Sequence, residues 1–258
     1  MVEVENAKVV HDLANSADLR KHHYDFVHYD SPDDRGIDVA LLYNKQFFEL
    51  LGSENYPLYL EDAQGKRDYT RDILVVYGNL NGEFVHILVN HWPSRSGGEA
   101  KSRPLREKAA YQNIKISQKI RDKEVDAKIL IMGDFNDDPN NTSFKKVLKT
   151  KRKKKNVEAL DIYNPYENLH RKGLNTLVYR DNLNLFDMIL ISAPLLDKGK
   201  KDFSTYKMYK AMIFNKLFLS DKKGKYKGYP FRSFSNGGYT GGYSDHYPVY
   251  LYLIREQD

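Results

Sequence analysis

Two short stretches, GDFN at residues 133–136 and YSDHY at residues 243–247, place carboxylates, an amide and a histidine beside apolar runs. The first directly follows the run Lys128–Met132, and the second leads into the run Tyr247–Ile254. Such runs predict strands, and the rim of a sheet can hold polar side chains rigidly. Each stretch alone is a weak signal, because Asp and Asn are common turn residues. Together they predict one polar site where two strands meet.

Two more polar positions between these stretches fit the same pattern. His91 ends the β-rich run Phe84–Asn90, which follows another apolar run through a loop containing Asn81-Gly82, a strong hairpin signal. Asp187 lies near the start of the run Leu185–Ser192. We therefore expect both side chains at strand edges.

The other predicted elements define the fold class. Asn6 is a plausible N-cap of a short helix, and Ile37–Tyr43 predicts a strand. Pro104 suits the first turn of a helix whose apolar positions fall on one face. Strands, hairpins and helices alternate irregularly, which predicts an α/β fold with mixed sheets. At 258 residues, a single domain over residues 1–258 is the expectation.

Composition excludes several classes of protein. The 41% hydrophobic and 29% charged residues argue against wholesale disorder. No apolar run approaches the roughly 20 residues that a membrane-spanning helix needs. The chain has no cysteine, so disulfides, thiolate metal sites and cysteine nucleophiles are excluded. No signal peptide follows Met1, and the compartment stays open, because the export of a longer form would fit equally well.

Positive charge points to an anionic partner. The formal charge is +6 and the pI is near 9.1, which favours encounter with anions. The densest cluster is Ser143–Lys155, which carries many lysines and no acidic residue. Such a tract can bind nucleic-acid phosphates, but it is more often a solvated loop or a frayed helix end.

In this order, the motifs GDFN, NHW, FDMIL and SDH resemble those of the endonuclease/exonuclease/phosphatase (DNase I-like) superfamily of metal-dependent phosphodiesterases. The resemblance implies a four-layer α/β sandwich, with two mixed sheets face to face and helices outside. It implies hydrolysis of a phosphate ester by in-line attack of an activated water, with Mg²⁺ or Mn²⁺ as cofactor. It runs from residue 2 onward and lacks the family's opening strand and helix, so we expect an N-terminally truncated domain.

The resemblance also implies roles for five residues. Asp134 matches the base or metal-linked carboxylate, and Asn136 matches the amide that orients the attacking water. His246 matches the histidine that contacts the scissile phosphate, and Asp187 matches the carboxylate that orients this histidine. His91 matches a second histidine at the phosphate. Taken singly, each of these residues would be read as an ordinary turn, strand-end or surface residue.

The resemblance implies a metal site and, with less support, phosphate contacts. Glu3, in the segment VEVEN, matches the family's metal-binding glutamate, and Asp245 of the SDH motif also lies near the metal. Oxygen ligands suit Mg²⁺ or Mn²⁺ and argue against zinc. Arg35, Ser94 and Arg95 are candidate phosphate-binding residues. An alternative for Arg35 is a surface ion pair with a neighbouring aspartate.

The substrate stays open at this level. Positive charge favours nucleic acid. A phospholipid ranks lower, because Trp92 is the only tryptophan and no exposed aromatic hairpin is evident. A soluble phosphate ester also fits. The tyrosines that precede the SDH motif either stack on bases or are structural; they are Tyr226, Tyr229, Tyr239 and Tyr243.

Two other functions compete with the hydrolase. One is a non-catalytic phosphate- or nucleic-acid-binding module on the same fold. The other is a nucleic-acid adaptor in which the tract Lys145–Lys155 is the functional centre. Hydrolysis that depends on a divalent metal would favour the enzyme over both.

Overall fold

The computed structural model describes residues 1–61, 64–235 and 237–256. The helices are α1 (Ala7–Ala14), α2 (Glu99–Arg121) and α3 (Tyr166–His170). Short helical turns lie at Arg20–His22, Ser143–Val147, Lys154–Asn156, Ala193–Leu195 and Leu217–Leu219. The strands are β1 (Val2–Val4), β2 (Tyr24–His28), β3 (Asp38–Asn44), β4 (Phe48–Tyr56), β5 (Leu60–Glu61), β6 (Arg67–Asp68), β7 (Ile73–Leu80), β8 (Glu83–His91), β9 (Ile129–Asp134), β10 (Ile162–Tyr163), β11 (Leu177–Tyr179), β12 (Asn182–Asn184), β13 (Asp187–Ser192), β14 (Lys207–Ile213), β15 (Phe234–Ser235), β16 (Gly238–Tyr239) and β17 (Val249–Ile254).

The largest sheet has six strands in the order β10-β13-β9-β8-β7-β4. β8 and β9 run parallel, with α2 as the crossover between them, and the other neighbours are antiparallel. A parallel pair needs such a crossover, because its two strands cannot be joined by a tight turn. The predicted α/β class with a mixed sheet is confirmed.

A second sheet, in the order β1-β3-β2, covers one face of the first. Val39 and Leu41 of β3 pack with Leu74 of the six-stranded sheet, whereas Ala40 packs with Val10 of α1. This alternation is the two-residue period of a strand that is buried on both faces. The opposite face of the large sheet packs against α2. The detailed four-layer sandwich of two mixed sheets stays a prediction, because the second sheet as described is small and antiparallel.

Two local predictions are confirmed. The amide of Val9 donates to Oδ1 of Asn6 at 3.1 Å, so Asn6 caps α1. Asn81 and Gly82 join β7 to β8, with φ angles of 46° and 84°. Positive φ at both central residues is what a two-residue hairpin turn requires.

Helix α2 begins earlier than the sequence suggests. Its first residue is Glu99, so Pro104, which the sequence places in the first turn, lies beyond it. The hydroxyl of Ser102 donates to the carbonyl of Gly98 at 2.8 Å. Across the described parts of the chain, no helix, α2 included, combines the length and apolar character needed to cross a membrane.

The lysine-rich segment Ser143–Lys155, here called the basic tract, packs against the rest of the domain at several points. Phe144, Leu148 and Thr150 are buried, and Nζ of Lys145 lies 3.0 Å from the buried carboxylate of Glu167. Its other lysines are mostly exposed. The segment therefore behaves as a packed turn with a charged outer face, rather than as a frayed end.

One hairpin differs from the sequence interpretation. β15 and β16 pair antiparallel and expose two aromatic side chains, Phe234 and Tyr239, whose ring centroids are 5.6 Å apart. The sequence analysis found no exposed aromatic hairpin because these strands are only two residues long and carry no alternating apolar pattern.

An aromatic cluster joins the basic tract to the ends of β8 and β9. Trp92 stacks on Phe144 at 5.4 Å and meets Phe135 edge-on at 4.8 Å. All three rings are almost completely buried. Their contacts connect the end of β8, which carries NHW, to the end of β9, which carries GDFN.

We expect Phe144→Ala to lower the free energy of unfolding by about 3 to 5 kcal/mol, because it leaves a cavity between buried rings. Urea unfolding followed by circular dichroism measures the change. Phe47→Ala is the matched control, since Phe47 is 54% exposed; we expect it to cost less than about 1 kcal/mol. Equal effects of the two substitutions would contradict the role of this cluster.

Candidate active site

Three neighbouring strands bring three polar side chains into one row. Asp134 of β9 pairs in register with His91 of the parallel strand β8. On its other side, Asp134 pairs with Asp187 of the antiparallel strand β13. Residues that lie directly opposite on adjacent strands have neighbouring side chains. The sheet therefore places a histidine and two carboxylates side by side at one edge.

Gly133 makes this register possible. Its φ is 139°, and a Cβ atom at this position would clash with the carbonyl oxygen of Asn90 on β8. Glycine alone tolerates both the positive φ and the close backbone approach. The glycine of GDFN thus serves the packing of β8 against β9, one residue before Asp134.

His246 completes the group from the loop that precedes β17. Its Nδ1 lies 2.7 Å from Oδ2 of Asp187. Burial disfavours the charged imidazole, but the charge and hydrogen bond of Asp187 outweigh it and raise the pKa of His246 to about 10. The loop is held by the amide of Tyr247, which donates to the carbonyl of Thr176 at 2.7 Å. His246 is therefore a fixed imidazolium in this arrangement.

Asp134 lies in the middle of the group. Burial and the neighbouring Asp187 carboxylate raise the pKa of Asp134 well above its ordinary range, despite the opposing charge of His246. Single ligand atoms of Asp134, Asp187 and His246 lie within 4.8 Å of one another. The backbone N–H of Asn136 donates to Oδ1 of Asp134 at 2.8 Å and fixes the carboxylate.

His91 is buried behind Asp134. Its Nε2 lies 3.7 Å from Oδ2 of Asp134, and its Nδ1 is buried without a hydrogen-bond partner. Burial lowers the pKa of His91 well below its ordinary value, and the positive charges of Arg71 and Arg35 lower it further. This histidine is therefore neutral at physiological pH, in contrast to His246.

Asn136 is oriented by a chain of hydrogen bonds. Its Nδ2 donates to the carbonyl of Trp92 at 2.9 Å. The same carbonyl accepts from Nη2 of Arg71 at 2.6 Å, while Nη1 of Arg71 donates to Asp33 at 2.9 Å. Asn136 itself has a φ of 50°, a conformation that Asn adopts more readily than most residues. The side-chain nitrogen of Asn136 is thus held by the protein.

The residues predicted to hold metal line an open cleft of about 460 Å³ together with Asp134, Asp187 and His246. Oε1 of Glu3 lies 3.9 Å from Arg35, and Oδ2 of Asp245 lies 3.4 Å from Arg232. Both carboxylates are more than half exposed. The structure therefore brings Glu3 and Asp245 to the same cleft as the buried carboxylates.

The three candidate phosphate-binding residues lie in different places. Arg35 is at the cleft's edge, between Glu3 and the buried Asp33. Arg95 instead binds the loop after β9, with Nε 2.9 Å from the carbonyl of Asn136 and Nη2 3.3 Å from Asp138. Ser94 is exposed, and its carbonyl accepts from Arg106. None of the three is among the residues that line the described cleft.

Sequence reasoning missed two arginines. Arg71 is buried, and it both orders Asn136 and acts on the pKa of His91. The charged pair Arg71-Asp72, directly before the apolar run of β7, was the available signal. Arg232 lines the cleft from the glycine- and tyrosine-rich loop. No periodicity in that loop distinguishes it from the surrounding residues.

Comparison with known proteins places these features in a family. The profile of the Endonuclease/Exonuclease/phosphatase family matches residues 1–255. A search of curated proteins finds no match.

Several solved structures share the fold. A humanized D. rerio TDP2 carrying 14 mutations is 17% identical, with a TM-score of 0.59 over 98% of this chain and 83% of that chain. An endonuclease/exonuclease/phosphatase from Bacteroides vulgatus is 16% identical, with a TM-score of 0.57 over 99% and 84%. A mannosyl-6-phosphatase from Bacteroides thetaiotaomicron is 16% identical, with a TM-score of 0.56 over 98% and 83%. The fold agrees with the profile match over nearly the whole sequence, and the chain belongs to the endonuclease/exonuclease/phosphatase family.

Proposed function

We propose that this protein hydrolyses a phosphate ester with the help of a divalent metal ion, by in-line attack of water on phosphorus. The observation that carries the proposal is the row His91, Asp134 and Asp187 across three strands, completed by His246. It combines a buried carboxylate of raised pKa, a fixed imidazolium and a neutral imidazole in one place. Perturbed titratable groups that converge on a cleft are a signature of functional sites.

The donor atoms of the cleft fit a hard divalent cation. Glu3 and Asp245 offer exposed carboxylate oxygens to the cleft, and such ligands suit Mg²⁺ or Mn²⁺. These two residues would hold the ion. When bound, it would screen the phosphate charge and make a neighbouring water more acidic.

Asp134 and Asn136 act on the attacking water in this proposal. A carboxylate whose pKa approaches neutrality is an effective proton acceptor, since the ideal base titrates near the working pH. Asp134 accepts one proton of the water as the water oxygen bonds to phosphorus. The P–O ester bond on the opposite side breaks, and the leaving oxygen takes a proton from solvent to give the alcohol. Asn136, whose amide nitrogen is held by the Trp92 carbonyl, orients the same water through its oxygen.

His246 and His91 act on the phosphate. The His246 imidazolium, held by Asp187 through Nδ1, has Nε2 available to donate to a phosphate oxygen. A positive charge in a partly buried site stabilises the negative charge that develops in the transition state. His91 is neutral and serves as a second donor. The two histidines thus differ in charge because only His246 has a hydrogen-bonded carboxylate.

We expect His246→Ala to reduce the hydrolysis of bis-p-nitrophenyl phosphate in Mg²⁺ or Mn²⁺ by about 10²- to 10⁴-fold, because it removes the imidazolium at the phosphate. Chelation with EDTA should abolish the activity of the unsubstituted protein. Nicking of plasmid DNA under the same conditions tests nucleic acid as the substrate class.

The matched control is His11→Ala, which removes an exposed histidine of α1 and should leave turnover unchanged. The thermal melt of His246→Ala should stay close to that of the unsubstituted protein. A loss of fold comparable to the loss of activity would argue against a catalytic role. Anion binding that persists in EDTA, without any hydrolysis, would favour the non-catalytic binding module instead.

A second prediction concerns the charge state of His246. Because its pKa lies above the ordinary value of 6.5, the metal-free protein should keep this imidazolium as the pH rises, and lose it only near pH 10. We therefore expect a protonated His246 ring at about pH 8 by NMR. Asp187→Asn removes the main stabilising charge, while burial still disfavours the cation, so the ring should be neutral at that pH.

Asp12→Asn, on the exposed face of α1, is the control and should not change the titration. If His246 titrated alike in the unsubstituted protein and in Asp187→Asn, the assigned role of Asp187 would be wrong.

A further inference from the structure

A second cavity, of about 620 Å³, adjoins the cleft. The two share Arg232, Phe234 and Asp245, so a ligand can occupy both at once. Its volume lies within the ~300 to 1,000 Å³ that is usual for small-molecule sites. We call it the aromatic cavity, because five rings line it: Tyr179, Tyr226, Tyr229, Phe231 and Phe234.

The walls of the aromatic cavity are tied to one another. The amide of Asp221 donates to the carbonyl of Tyr229 at 2.8 Å, and the amide of Gly228 donates back to Asp221 at 2.8 Å. The hydroxyl of Tyr229 donates to Asp181, at the tip of the β11–β12 hairpin. The amide of Tyr243 donates to the carbonyl of Phe231 at 2.8 Å. A wall that is already closed by hydrogen bonds loses less entropy when a ligand binds.

Some aromatic side chains belong to the core, whereas others line the aromatic cavity. Tyr166 and Tyr247 are buried and belong to the core cluster. Tyr179, Tyr226 and Phe234 are each more than half exposed and line the cavity. Rings that face solvent around a cavity contribute little to the core. They remain available to stack on a planar ligand.

The charges inside the aromatic cavity balance. Arg180, Lys225 and Arg232 are offset by three carboxylates; these are Asp181, Asp221 and Asp245. Such a lining does not favour an anion over a neutral group. It offers hydrogen-bond donors and acceptors beside aromatic faces, which suits a flat, neutral, polar ring.

The rim of the cavity is strongly positive. Besides Lys225, which already belongs to the lining, the segment 222–227 carries three exposed lysines and no acidic residue; they are Lys222, Lys223 and Lys227. Lysines attract phosphates without reading sequence. A neutral aromatic interior with a cationic rim matches a strand of nucleotides, whose bases are flat and uncharged and whose backbone is anionic.

We propose that the aromatic cavity binds a nucleobase, and that the ester cleaved in the adjoining cleft belongs to a single-stranded oligonucleotide. The second part rests on the proposed function. A base inside the cavity cannot remain paired, so a single strand is the form that fits. Stacking on the cavity rings places the neighbouring phosphate beside Arg232, at the junction with the cleft.

Fluorescence anisotropy with a labelled oligothymidylate, in EDTA to prevent cleavage, tests the base-binding role. An abasic strand of equal length and charge is the matched ligand. We expect Tyr226→Ala and Phe234→Ala each to weaken oligothymidylate binding by about 5- to 150-fold, and to leave abasic binding unchanged. Tyr209→Ala, an exposed ring on β14 outside the cavity, is the control and should change neither.

Equal weakening of both strands, or of neither, would overturn the assignment of a base to this cavity. Binding to anionic phospholipid vesicles that competes with the oligonucleotide and falls in the same two variants would also overturn it, in favour of a lipid surface. Base-dependent binding without metal-dependent hydrolysis of any ester would support the cavity and overturn the proposed function. Metal-dependent hydrolysis without base dependence would overturn the cavity alone.

Discussion

The register of β9 between β8 and β13 is the constraint on which the candidate site depends. It fixes Asp134 opposite both His91 and Asp187, so the distances in the row follow from backbone pairing rather than from side-chain flexibility. Gly133 permits this register by allowing the backbone of Asn90 to approach. A shift of β9 by one residue would turn Asp134 to the other face of the sheet, away from His91 and Asp187.

Burial then sets the protonation states. Two carboxylates at one sheet edge repel each other. Two positive charges offset this repulsion: His246, which is hydrogen-bonded to Asp187, and the buried Arg71. Arg71 donates its hydrogen bonds to Asp33 and to the Trp92 carbonyl. It therefore affects the residues of the row through its charge and not through direct contact. What results is a histidine that stays charged and a histidine that stays neutral within one small site. Opposite environments for like groups are how proteins separate chemical roles.

The sequence predicted the fold class, and it singled out several residues that the structure brings together, for a physical reason. Asp134, Asp187 and His91 lie at the ends of apolar runs, and strand ends are readable from local pattern. Arg95 could not be read in this way, because a long cation binds whichever carboxylates the fold brings near, and here they lie on the loop after β9. Arg71 and the exposed hairpin at Phe234 depend on contacts between distant segments. Neither the partner of a charge nor the exposure of a two-residue strand has a local signature.

The row lies at the centre of the six-stranded sheet, and this position affects the order in which parts of the protein open on heating. β8, β9 and β13 are interior strands, and opening interior strands requires nearly global unfolding. The walls of the aromatic cavity come from short hairpins and loops, which open at lower cost. His246 and Asp245 lie on such a loop as well. On warming, the loops should therefore open while the sheet still holds His91, Asp134 and Asp187 in register, and the site would lose its imidazolium before the domain unfolds.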